Sequence, residues 1–138
     1  MVQTGTLFSL LVICSIEDIK KKKITCMYLL LFGIVGILLH LIYQNCTTYS
    51  LMGGLMIGLV LMALSKLTKG SIGIGDGLLL AITGIYLGVE DNMELLMTGL
   101  LFAAVWSLWL LTVCKKKRKH EIAFIPCLLI AYITMIVR

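Results

Sequence analysis

Apolar residues fall in six long runs along this chain, and the polar residues collect between them. The runs are roughly Val2 to Ile19, Ile24 to Tyr43, Leu51 to Leu67, Ile72 to Val89, Met93 to Cys114 and Ile122 to Val137. Each is within or near the ~17–25 residues a helix needs to cross the hydrocarbon core of a bilayer. The first is the weakest, because Gln3, Thr4, Thr6 and Ser9 dilute its outer half. Short connections imply antiparallel neighbours. The pattern therefore predicts an all-α polytopic membrane protein, a six-transmembrane-helix bundle.

Composition agrees. The 138 residues are 60% hydrophobic and 14% charged, with a mean hydropathy of +1.06. A soluble domain needs a more charged surface than that, so the lipid bilayer is the expected surroundings. With one proline and no Ser/Pro/Gly-rich stretch, no flexible linker is expected, and residues 1–138 read as a single domain.

The net charge of +5 would suggest nucleic acid if it were spread over a surface. Instead, every Lys and Arg except Arg138 falls in one of three clusters: Lys20 to Lys23, Lys66 with Lys69, and Lys115 to Lys119. These clusters occupy the first, third and fifth connections between the apolar runs. The second, Gln44 to Ser50, is uncharged, and the fourth, around Glu90, Asp91 and Glu94, is acidic. The positive-inside rule places the odd connections in the cytoplasm and both termini outside. Anionic lipid, and no nucleic acid, is the partner this charge distribution implies.

Cys14, Cys26, Cys46, Cys114 and Cys127 are scattered, with no C-x-x-C pair and no metal-ligand spacing. They read as small hydrophobes. The first run is no cleavable signal peptide, since its basic residues follow the apolar stretch and no small-residue cleavage site comes after it. Small residues spaced by four, at Gly54/Gly58, Gly73/Gly77 and Gly84/Gly88, are suited to close helix packing in lipid. Trp106, Trp109 and the methionines read as lipid-facing or packing side chains, and His40 as a polar tip near a helix end.

Most acidic residues have a simple place: Glu90, Asp91 and Glu94 in solvent, and Glu121 at the favourable end of the last helix dipole. Asp18 and Asp76 do not. Asp76 lies inside the fourth apolar run, and Asp18 closes the first. An ionisable group at membrane depth is costly, and a functional role is its default reading. The first run heads inward and ends near Asp18; the fourth heads outward and begins near Asp76. Both carboxylates thus reach the cytoplasmic edge of the same leaflet. Two carboxylates that meet cannot both ionise readily. Such a pair is what an aspartic peptidase would need: a carboxylate to deprotonate water and an acid to polarise a scissile carbonyl. In Gly73-Ile74-Gly75-Asp76-Gly77, three glycines bare the backbone around the acid, and they weaken the helix start enough to predict partial unwinding beside a wet cavity. The alternative is structural: ion pairs of Asp76 with Lys69 and of Asp18 with neighbouring lysines.

These residues resemble the type IV prepilin peptidases, a family that includes the preflagellin peptidases. Three stretches carry the likeness: Asp18 and its basic run to Ile24, Gly73 to Leu80 with Gly-x-Gly-Asp, and Ile122-Ala123-Phe124-Ile125-Pro126. The resemblance implies a membrane-embedded aspartic endopeptidase with Asp18 and Asp76 as catalytic pair. Gly73 and Gly75 then shape the backbone, and no metal or cofactor takes part. It also implies a pilin-like precursor as substrate, with a short basic leader ahead of an apolar helix. Glu17 and Glu121 are the nearby acids able to receive such a leader, although helix capping explains them equally well. The sequence departs from the family at Thr25-Cys26, where Pro-Asn is usual, and at Leu78, where the family carries Lys. It has no long insertion of the kind that accompanies N-methyltransferase activity in larger relatives, so it resembles the compact, peptidase-only members. A small transporter or channel, or a silent assembly subunit, is the alternative from another class. Zinc-peptidase and serine-hydrolase patterns are missing: Phe124 stands where the second His of an H-E-x-x-H would be, and there is no G-x-S-x-G.

Overall fold

The structure is a computed structural model that describes residues 1–21, 25–43, 47–69, 73–113 and 123–138. Those residues form six helices: α1 (Val2–Lys21), α2 (Cys26–Tyr43), α3 (Thr48–Leu67), α4 (Ile74–Leu87), α5 (Val89–Thr112) and α6 (Ile125–Val137). No strand occurs among them. The chain is an all-α polytopic membrane protein. Four helices, α1, α2, α3 and α5, are long and apolar enough to cross a membrane. Glu121, Cys46, Cys114 and the Lys115 to Lys119 cluster lie outside the described residues.

The fourth apolar run departs from its expected form. It was to run from Ile72 to Val89 and lead into an acidic connection. Instead α4 has 14 residues and α6 has 13, about 20 Å each at 1.5 Å per residue. Only Gly88 separates α4 from α5, with φ 83°, a left-handed conformation that suits a residue without Cβ. Glu90, Asp91 and Glu94 are therefore not in a loop. They belong to the opening turns of α5, where the positive end of the helix favours them. A run of acids looks the same in sequence whether it is solvated loop or helix start, which is why pattern alone misplaced them.

α4 is the central helix. Nine of its residues are buried, from Gly77 through Tyr86, and it touches α1, α2, α3 and α5. Its closest partner is α3, and glycine is the reason. A Cβ at Gly54 would lie 2.6 Å from the Gly84 carbonyl oxygen, one at Gly77 would lie 2.8 Å from Met62 Cγ, and one at Gly58 would collide with the Ala81 backbone. Bare backbones thus slide together as small-residue spacing predicts. On α2, Gly36 lies beneath the Tyr86 ring, whose hydroxyl donates to the Phe32 carbonyl at 2.7 Å. Leu7, Leu10, Leu11 and Cys14, one stripe of α1, are fully buried along with Leu79, Leu95, Ile125 and Leu128. Leu78, which stands at the family's Lys position, packs against this core. Large apolar side chains such as Leu30, Ile34, Leu101 and Val105 are exposed, as expected of faces turned to lipid.

Candidate active site

The end of the bundle that carries Lys20, Lys21, Lys66 and Lys69 also carries the end of α1 and the starts of α4 and α6. Asp76 is the third residue of α4. Its own N–H donates to the Gly73 carbonyl at 3.1 Å, and the Gly77 N–H reaches the same oxygen at 3.4 Å. The helix is formed from Ile74 onward, so Gly75 and Gly77 lie within it. The partial unwinding expected around the motif is absent. Gly73 matters for a different reason: a Cβ there would stand 3.0 Å from Asp76 Oδ2 and 3.4 Å from its Cγ. The Asp76 carboxyl folds back over the bare Gly73, at the positive end of α4.

Asp18 sits four residues from the end of α1's Leu7–Cys14 stripe and is half-buried. A carboxylate near a helix C-terminus meets the negative end of the dipole. Here the start of α6 offsets that cost. Ile125 and Pro126 open α6 after Phe124. The Cys127 and Leu128 N–H groups bond to the Phe124 carbonyl at 3.1 and 3.2 Å, and proline has no N–H to place. The Ile125 N–H is thus left without a partner inside its helix, and it interacts with the Asp18 carboxylate. Asp18 Oδ2, by contrast, is buried with no hydrogen-bond partner among the described residues.

Asp18 is near enough for its charge to be felt at the Asp76 carboxyl, and α1 and α4 are in contact. The fold therefore brings Asp18, Asp76 and Gly73 to one place, with Gly75 half-buried in the first turn of α4. Glu17 is elsewhere. Its carboxylate accepts from the N–H and hydroxyl of Thr25 at 3.3 and 3.2 Å. Sequence reading missed the Ile125 N–H, since a main-chain donor has no residue signature; the Ile125-Pro126 pair was its only sign.

With this geometry in view, comparison with known families is decisive. The chain matches the model of the type IV leader peptidase family over residues 5–108. It belongs to that family. The match runs from α1 through most of α5 and includes both aspartates and the Gly73-x-Gly75 pair; Ile125 and Pro126 lie beyond it. No curated protein and no solved structure matches the chain. The protein is thus a multi-pass membrane peptidase of the leader peptidase family.

A separate cavity of about 260 Å³ lies at the other end of the bundle, among Gln3, Thr4, Tyr86, Asp91 and Tyr132. The buried Leu10, Leu11, Leu79 and Leu80 stand along α1 and α4 between it and the aspartates.

Proposed function

We propose that this leader peptidase is an aspartic endopeptidase that removes the N-terminal leader from pilin-like precursors, with Asp18 and Asp76 as its catalytic pair. One observation carries the reading. Two carboxyls from different helices lie close enough for the charge of one to be felt at the other, and one of their oxygens, Asp18 Oδ2, is buried without a hydrogen-bond partner among the described residues. Buried polar atoms are normally satisfied, and an unsatisfied acid beside a second acid suits a water or a peptide carbonyl. One carboxylate takes a proton from water while the other, as carboxylic acid, polarises the scissile carbonyl. The tetrahedral intermediate then collapses as the leaving nitrogen takes up a proton.

The lysine clusters support a reading with this end at the cytoplasmic face and both termini outside. The connections between helices are short in sequence, which supports a reading of leader cleavage alone, with no metal or cofactor. In liposomes, the purified protein should cut a peptide bearing a basic leader ahead of an apolar helix, with EDTA leaving the rate unchanged. Solute flux without cleavage would favour the transporter instead. Cysteines placed at Gln44 and Lys117 test the orientation. With the five native cysteines replaced, Gln44→Cys should label from outside intact cells and Lys117→Cys only after permeabilisation; the reverse would put the aspartates on the wrong side for this substrate.

A further inference from the structure

The end of α1 packs little against the other helices. Past Ser15 none of its residues is buried: Ile16, Ile19, Lys20 and Lys21 are exposed, with Glu17 and Asp18 half-buried. The opening turn of α2 is no better anchored. Cys26, Met27 and Tyr28 are exposed, and the buried residues of α2 are Leu29, Gly33 and Gly36. A terminal helical turn has carbonyls without partners and frays unless something ties it. Yet Asp18 lies in this stretch.

Glu17 supplies the tie. Its Oε2 accepts from the Thr25 N–H at 3.3 Å and its Oε1 from the Thr25 hydroxyl at 3.2 Å. Thr25 stands immediately ahead of α2. A carboxylate from the end of one helix therefore fills orphan donors at the start of the next and meets its positive end. Successive residues on a helix point ~100° apart, so Glu17 can hold the turn from one side while Asp18 faces Ile125 and Asp76 on another.

We propose that Glu17 is a positioning residue: its clasp on Thr25 fixes the last turn of α1 so that Asp18 stays aimed at Asp76. The proposal rests on the reading of those aspartates as the catalytic pair. It assigns Glu17 away from leader recognition, because both of its oxygens already hold a donor from the protein. A proline at position 25 would have no N–H to give, so the Thr25 of this chain makes the two-point clasp possible.

The test uses the full chain in liposomes with Glu17→Ala, Glu17→Gln, Thr25→Val and the Glu17→Ala/Thr25→Val pair. Cleavage kinetics are followed on two peptides, one with a basic leader and one with that leader neutralised. Modification of Cys26 by a water-soluble maleimide, followed by mass spectrometry, reports on the corner without any cleavage. Glu17→Ala should lower kcat about three- to tenfold, the size of a lost hydrogen-bonded contact at a half-exposed site, with KM little changed for either peptide. Cys26 should label faster. Glu17→Gln, whose amide oxygen still accepts, should restore most of kcat, and the double variant should be no worse than Glu17→Ala. An unchanged kcat in Glu17→Ala overturns the proposal whatever the labelling rate. So does a raised KM confined to the basic leader with Cys26 labelling unaltered, which would make Glu17 a leader contact. Normal cleavage by Asp18→Asn and Asp76→Asn, with Cys26 still responding to Glu17→Ala, overturns the positioning role too. In that case the labelling shows that the catalytic reading failed and the clasp did not.

Discussion

The two ends of α4 both meet polar groups in the bundle, and they treat them in opposite ways. At the Gly88 end Asn92 is fully buried. Its Oδ1 accepts from Thr83 Oγ1 at 2.7 Å, and its Nδ2 donates to the carbonyls of Leu80 at 3.1 Å and Gly54 at 3.3 Å. Three helices are joined and both ends of the amide are used. At the Gly73 end Asp18 keeps a buried oxygen with no partner among the described residues, while a second acid lies close enough for its charge to matter. A satisfied polar network in a low-dielectric interior fixes one arrangement, whereas an unsatisfied pair of acids costs stability. The first end thus reads as structure and the second as chemistry, within one helix.

The sharpest way to break that contrast is to remove each acid without changing its size. Asp18→Asn and Asp76→Asn should each lose ~10²–10⁴-fold in cleavage rate, the range for a missing general acid or base. Both should accumulate in the membrane at least as well as the parent. A large loss of thermal stability in either would move that aspartate to the structural side.

Next in size is the helix contact behind the site. A Cβ at Gly58 would collide with the Ala81 backbone, which cannot move aside as a flexible side chain can. Gly58→Val should cost roughly 1–3 kcal/mol or more through overpacking, seen as a lower aggregation temperature in detergent. Gly73→Ala is the counterpart at the site. The new Cβ would press on Asp76 Oδ2 from 3.0 Å, so cleavage should fall roughly tenfold by misplacing the acid, with stability nearly unchanged. Equal effects of Gly58→Val and Gly73→Ala on stability would show that Gly73 is simply another packing glycine. The smallest effect belongs to the satisfied end. Asn92→Ala should cost about 1–2 kcal/mol, the scale of interhelical hydrogen bonds in membranes, while cleavage per folded molecule stays normal.

Much of this contrast was legible before the structure. Length and hydropathy located all six helices, because lipid demands long apolar runs, and the cost of an acid at membrane depth singled out Asp18 and Asp76. Other features have no local signature. The break at Gly88 hides because a glycine inside an apolar run reads as packing until its φ is known. Asn92 reads as part of an acidic, solvated stretch, and only the docking of α5 on α3 and α4 shows that it is buried. The partners of Glu17 and Asp18, Thr25 and the Ile125 N–H, depend on how helix ends meet in space. Chemistry could nominate the candidate residues, while their supports required the fold.

In the proposed mechanism Asp18 and Asp76 act on the leader as one unit. The most direct test is single-turnover cleavage of a leader-bearing peptide by Asp18→Asn, Asp76→Asn and the double variant, side by side in liposomes. Groups that act together are strongly non-additive when removed in turn. The account predicts the same residual rate for all three variants, within a factor of about three. A double variant slower than either single by the product of their losses, or a single variant cleaving at the parent rate, would contradict it.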